Sequence, residues 1–131
     1  MNQNSITPFD AIGGEHVLAT LVDTFYSYVS QHPDLAPIFP NDLTETARKQ
    51  KQFLTQYFGG PALYTTEHGH PMLRARHLRF EITPKRKDAW LSCMERALDD
   101  VGIEGPIREF VRERLQLTAT HMVNTPETGE E

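Results

Sequence analysis

Between His68 and Ile82 the chain reads His-Gly-His-Pro-Met-Leu-Arg-Ala-Arg-His-Leu-Arg-Phe-Glu-Ile, and within it His77 is the side chain best placed to ligate a metal. Pro71 suits the first turn of a helix, where its missing N–H costs nothing and its fixed φ is already helical. The sequence therefore predicts a short helix from about Pro71 to about Leu78. On it Leu73, His77 and Phe80 recur at spacings of four and three, which puts the imidazole in line with apolar neighbours and turns it inward. Arg74, Arg76 and Arg79 crowd around it in a chain whose net charge is −5. A neutral ring nitrogen inside and guanidinium groups at the rim suit a ligand with an apolar body and an anionic edge. The competing reading is a half-buried histidine bonded to backbone beside a solvated arginine face, the commoner fate of a lone histidine.

Two polar residues interrupt another inward stripe. In a helix expected from about Leu43 to about Phe58, Thr46, Gln50, Phe53 and Tyr57 share one face, beside Ala47 and Leu54. A buried amide without a partner costs roughly 1–3 kcal/mol, so Gln50 is either a satisfied core residue or a donor aimed at a bound ligand. Zinc is a weaker option: His68-x-His70 with His77 lacks a second close ligand pair, and Glu67 is the nearby carboxylate. No phosphate loop, dinucleotide fingerprint or nucleophile motif is found. His16, His32 and His121 fall in no pattern and read as surface or helix-end residues.

The elements that must position these groups are helical. Pro8 to Ile12 makes a short turn that Gly13-Gly14 breaks. From about Glu15 to Gln31 the stripe Val17, Leu18, Leu21, Val22, Phe25, Tyr28, Val29 is amphipathic, with Tyr26 at its margin. His32-Pro33 ends it, and Leu35, Pro37, Ile38, Phe39 and Pro40 form a connector apolar enough to pack on the core. Asp42 reads as an N-cap that completes a capping box with Glu45, Gly59-Gly60-Pro61 is a stop, and 61–70 reads as loop. Thr83-Pro84 opens a helix carrying Ala89, Trp90, Cys93, Met94, Ala97, Leu98 and Val101, closed by Gly102. Gly105-Pro106 opens the last, with Ile107, Phe110, Val111, Leu115, Thr118 and Met122 as its stripe. No convincing strand alternation, internal repeat or low-complexity core is found. The expectation is an all-α domain of four long helices, with 1–7 and 124–131 as flexible polar ends that carry no chemistry. Helix count alone also allows an up-down bundle.

At 131 residues the chain is long enough for one domain with a proper core. Its one cysteine, Cys93, cannot form an internal disulfide and suits a reducing cytoplasm. The N-terminus lacks the pattern of a secretory signal, and no apolar run approaches membrane-spanning length. The acidic balance disfavours nucleic acid as a partner.

Haem, with iron at its centre and two propionates on one side, meets the description of a ligand for His77. Six pieces, in order, carry a resemblance: Ala11-Ile12-Gly13-Gly14, Phe25-Tyr26, Pro37-Ile38-Phe39-Pro40, Gln56-Tyr57-Phe58-Gly59-Gly60-Pro61, the run from Met72 to His77, and Trp90. With these separations the chain resembles a group II truncated haemoglobin over nearly its whole length. The resemblance implies a shortened globin fold, in which two antiparallel helix pairs sandwich haem b (iron protoporphyrin IX). His77 then becomes the iron ligand, and Tyr26 and Trp90 become donors on the opposite, distal side, with Thr46 and Gln50 nearby. Phe39 matches the aromatic that packs on the macrocycle; some relatives carry a tyrosine or histidine there, so this chain lacks that group. Phe53, Leu73 and Trp90 become further cofactor contacts. Lys49, Tyr64 and Arg76 are the candidates for the propionates, Arg76 preferred because it adjoins His77. Implied partners are dioxygen and other small ligands such as nitric oxide, peroxide or sulfide, with an unidentified reductase and peroxidase-like turnover as further options. The alternative is a cofactor-free helical binding module in which Thr46, Gln50 and Trp90 are plain core.

Overall fold

Glycine and proline punctuate the chain where its helices change direction. A computed structural model describes residues 6–72, 75, 77 and 80–126. The elements run α1 (Pro8–Ile12), α2 (Gly14–Val29), a 3-10 turn (Ala36–Ile38), α3 (Thr44–Tyr57), α4 (Leu63–His68), α5 (Pro84–Val101) and α6 (Pro106–Met122). Among the described residues there is no strand, and no helix is long and apolar enough to cross a membrane. Between α4 and α5, the backbone at Ala75 and His77 is helical.

Gly13 takes φ 127° and Gly14 φ 80°, which lets α2 leave α1 at a sharp angle. A Cβ on Gly13 would meet Val17 Cγ2 at 2.5 Å. Thr7 caps α1 in a reciprocal box: its hydroxyl accepts from Asp10 N at 3.1 Å, and Asp10 Oδ2 accepts from Thr7 N at 3.4 Å. The box expected at Asp42 and Glu45 does not form. Asp42 Oδ1 accepts from Thr44 N at 3.0 Å in a local turn, Leu43 is the N-cap, and Glu45 turns instead to Arg48. Thr83 behaves as expected, its hydroxyl accepting from Arg86 N at 3.1 Å, and Gly102 closes α5 in the left-handed region.

The α2 helix packs against both α3 and α5, and α6 lies along α5 with α1 bridging α2 and α6. The arrangement is one of packed helix pairs, as the expected shortened globin fold requires. Its core joins Leu18, Leu21, Val22, Phe25 and Val29 of α2 to Leu54, to Cys93, Met94, Ala97 and Leu98 of α5, and to Val111 and Leu115 of α6. Leu35, from the connector, is fully buried with them. Each leucine, valine, phenylalanine or methionine among them contributes roughly 1.5–3 kcal/mol by leaving water.

Two stretches depart from the sequence reading. The segment expected to be loop before His70 contains α4, which has no apolar period and is held to α3 by polar groups spaced four apart. Arg48 grips both Glu67 oxygens at 2.9 and 2.7 Å, and Gln52 bridges Glu67 and His68 at 2.8 Å each. Gln56 closes the ladder on Thr65 at 2.7 and 2.9 Å. Asn124 and Thr125, read as the start of a free tail, are bonded to Ile82, with Asn124 N and Thr125 N both donating to its carbonyl at 3.0 and 3.2 Å.

Candidate cofactor site

The chain around His77 is built as a turn hung from the end of α6. Pro71 and Met72 are not helical, and Met72 takes φ 48°. The helix bearing His77 therefore begins after the proline, not at it as expected. The imidazole is half-buried, as its apolar alignment predicts. Phe80, expected in the same inward line, is 37% exposed; the helix has ended by then, so the spacing that aligned it no longer applies. Leu73, Arg74, Arg76 and Arg79, which carry the expected cofactor contacts and the cationic rim, lie outside the described residues.

On the other side, α2 and α5 bring three aromatics together. The Phe25 ring is fully buried and meets Tyr26 edge-on at 4.8 Å and Trp90 at 4.9 Å. Phe39, delivered by the connector, stands edge-on to Tyr26 at 6.0 Å. Tyr26 itself is only 7% exposed, and burial pushes its phenol above the ordinary tyrosine value, so the hydroxyl stays protonated. That hydroxyl has no hydrogen-bond partner among the described residues, and neither do Trp90 Nε1, the Gln50 amide or the Thr46 hydroxyl. Thr55 Oγ1 is the fully enclosed polar side-chain atom that lacks a partner among them. The Tyr26 hydroxyl is therefore without a bond among the described residues but is not fully enclosed.

The α3 helix supplies the remaining wall. Only Leu54 and Thr55 of its residues are buried. Thr46, Ala47, Lys49, Gln50 and Phe53 are all half-buried, so the face expected to point inward is left partly uncovered. Phe53 stacks on Tyr57 at 5.4 Å and meets Tyr64 edge-on at 6.1 Å. Tyr64, a propionate candidate, is buried under α4 with its ring 4.6 Å from His68. Lys49 is without a salt bridge among the described residues, unlike its neighbour Arg48. His68 is taken up by Gln52 and Glu67, and the described residues hold no cluster of three metal-ligating side chains.

These groups fit haem. A half-buried imidazole on one side, donors without a partner among the described residues on the other, and half-open aromatic and aliphatic surface between suit a flat apolar molecule whose metal takes a nitrogen ligand. Sequence reasoning missed two residues that position the site. Asn124 bonds the backbone of the turn that carries His77. Arg86 donates to Asp34 O at 3.2 Å and Glu81 O at 2.6 Å, joining the Phe39 connector to the chain leaving that turn. Asn124 reaches His77 and Phe80, and Arg86 reaches Asp34, all carbonyls more than forty residues away, so no local motif could have signalled these contacts.

Known proteins resemble this chain over nearly its whole length. The family model described as bacterial-like globin matches residues 7–124. The group 2 truncated hemoglobin YjbI of Bacillus subtilis is 68% identical over 127 residues, 97% of this chain and 96% of its own. The crystal structure of the group II truncated hemoglobin from Bacillus anthracis superposes with a TM-score of 0.93 at 78% identity, covering 94% of this chain and all of that one. That of the truncated oxygen-avid haemoglobin from Bacillus subtilis gives a TM-score of 0.88 at 71% identity, covering 90% of this chain and 99% of that one. The chain thus belongs to the bacterial-like globins and, among them, to the group II truncated haemoglobins.

Proposed function

We propose that this globin binds haem b through His77 and holds dioxygen, and related small ligands, by hydrogen bonds from Tyr26 and Trp90 with Gln50 and Thr46 beside them. The observation that carries this reading is the Tyr26 hydroxyl, on a ring held between Phe25 and Phe39, not fully enclosed and without a partner among the described residues. A donor so placed is available to a molecule that enters from outside the chain. Two further facts support it. The B. subtilis relative is described as oxygen-avid, and the B. anthracis protein has also been solved as Tyr26→Ala and Trp90→Leu variants, the same residue types at the same numbers as here.

His77 would hold haem through its iron, and the group would supply a metal able to bind a small ligand reversibly. His77 provides the imidazole, and its half-buried position keeps competing water away. Phe39 and Phe53 offer ring faces to the macrocycle, with Leu73 and Trp90 as further contacts. Arg76, Lys49 and Tyr64 are placed in the proposal as propionate partners, with Arg76 first. Tyr26 donates from a ring fixed by Phe25 and Phe39, so little rotational entropy is lost when it bonds a ligand. Several donors on one ligand slow its release, which favours redox chemistry on the held molecule, with electrons from an external reductase, over delivery. The proposed setting is the cytoplasm, in keeping with a single buried cysteine.

The test is titration of the purified chain with haemin. One equivalent should be taken up with an intense porphyrin band. A protein that takes up none and absorbs only as its aromatics is instead a cofactor-free helical module.

A further inference from the structure

The helix that carries His77 ends almost at once, and its last carbonyls need partners that the helix itself cannot supply. His77 O accepts from Phe80 N at 2.9 Å and, in addition, from the side-chain amide of Asn124 at 3.2 Å. The same Asn124 Nδ2 donates to Phe80 O at 3.0 Å. Its Oδ1 accepts from Ile82 N at 3.0 Å and from the Thr125 hydroxyl at 2.6 Å. Its backbone N donates to Ile82 O at 3.0 Å. Every bonding direction of this amide is in use: two donors and two acceptor lone pairs. The result is a C-cap delivered by a residue 47 positions away in the chain.

We propose that Asn124 is the positioning residue of the proximal ligand. By fixing the carbonyl of His77 and the turn behind it to the end of α6, it sets the height and angle of the imidazole, and with them the strength of its bond to a haem iron. A backbone held at residues 77, 80 and 82 cannot shift the Cα from which the imidazole projects without breaking these bonds together. The proposal rests on His77 as the ligand.

It is tested on the full chain loaded with haemin and then reduced, comparing the parent with Asn124→Asp and Asn124→Ala. The aspartate keeps the acceptor for Ile82 N but replaces the donor to His77 O with a repelling oxygen; the alanine removes both. The iron–histidine stretching band in resonance Raman should fall in frequency in both variants, and transfer of haem to an excess of apomyoglobin should speed up by at least about tenfold, since both lose the bonds to His77 O and Phe80 O. Circular dichroism of the haem-free proteins identifies a variant that fails to fold; Thr125→Val, which removes one donor to the same amide, then provides a gentler version with a smaller shift in the same direction. Absence of the band from the parent would remove the haem reading and this inference with it. A band present in the parent and unmoved in folded variants, with unchanged haem transfer, would overturn the inference alone.

Discussion

Replacing Tyr26 with phenylalanine separates the role of its hydroxyl from that of its ring. The ring contacts with Phe25 at 4.8 Å and Phe39 at 6.0 Å survive, and no described group loses a partner, because the hydroxyl has none among the described residues. The stability of the haem-free protein should therefore stay within about 0.5 kcal/mol of the parent. Release of dioxygen from the haem-loaded protein should change much more. A donor to a partly anionic ligand is worth roughly 1.5–3 kcal/mol, which corresponds to about tenfold to a hundredfold in dissociation rate. Stopped-flow displacement of dioxygen by carbon monoxide measures it. Unchanged release would remove Tyr26 from the ligand side, and a stability loss well above 1 kcal/mol would mean that the hydroxyl is bonded within the protein. An alkaline signature accompanies this. Burial raises the Tyr26 phenol above the ordinary value of 10.0, so the unfolded chain gives up that proton first. Its contribution to stability is complete below pH 10 and is lost as the pH rises beyond it. The phenylalanine variant should unfold with a weaker dependence on alkaline pH than the parent.

Other substitutions probe the frame. His77→Ala should abolish stable haem binding, seen as loss of the porphyrin band on gel filtration; a retained histidine-ligated spectrum would place the ligand elsewhere. Thr55→Val should stabilise the protein by about 1 kcal/mol in urea unfolding, because it removes an enclosed hydroxyl without a partner at nearly constant volume; a loss would reveal an acceptor inside. Gly13→Ala should cost about 1–3 kcal/mol, since its φ of 127° is closed to side chains and its new Cβ would lie 2.5 Å from Val17 Cγ2. A midpoint equal to the parent's would show that the bend between α1 and α2 tolerates another backbone geometry.

Helix type, order and most boundaries were legible in the sequence because they depend on local forces: apolar residues at three-and-four spacing in α2, α5 and α6, Thr83-Pro84 and Gly105-Pro106 as starts, and Gly102 as a stop. His77 could be singled out because one stretch carried both its apolar alignment and its arginine neighbours. Tertiary structure decided what depends on partners far along the chain. The α4 helix exists through bonds to Arg48, Gln52 and Gln56, so its own residues carried no period to read. The Asp42 box lost to a local turn one residue away, a difference smaller than any pattern resolves. Whether the Tyr26 hydroxyl would be spent inside the core or left incompletely enclosed could not be known from its place on a helix face. Nor could a polar residue past the last helix announce that its amide would reach back across the fold to hold the backbone of His77. Periodicity records which face a residue takes on its own element; only packing decides what that face meets.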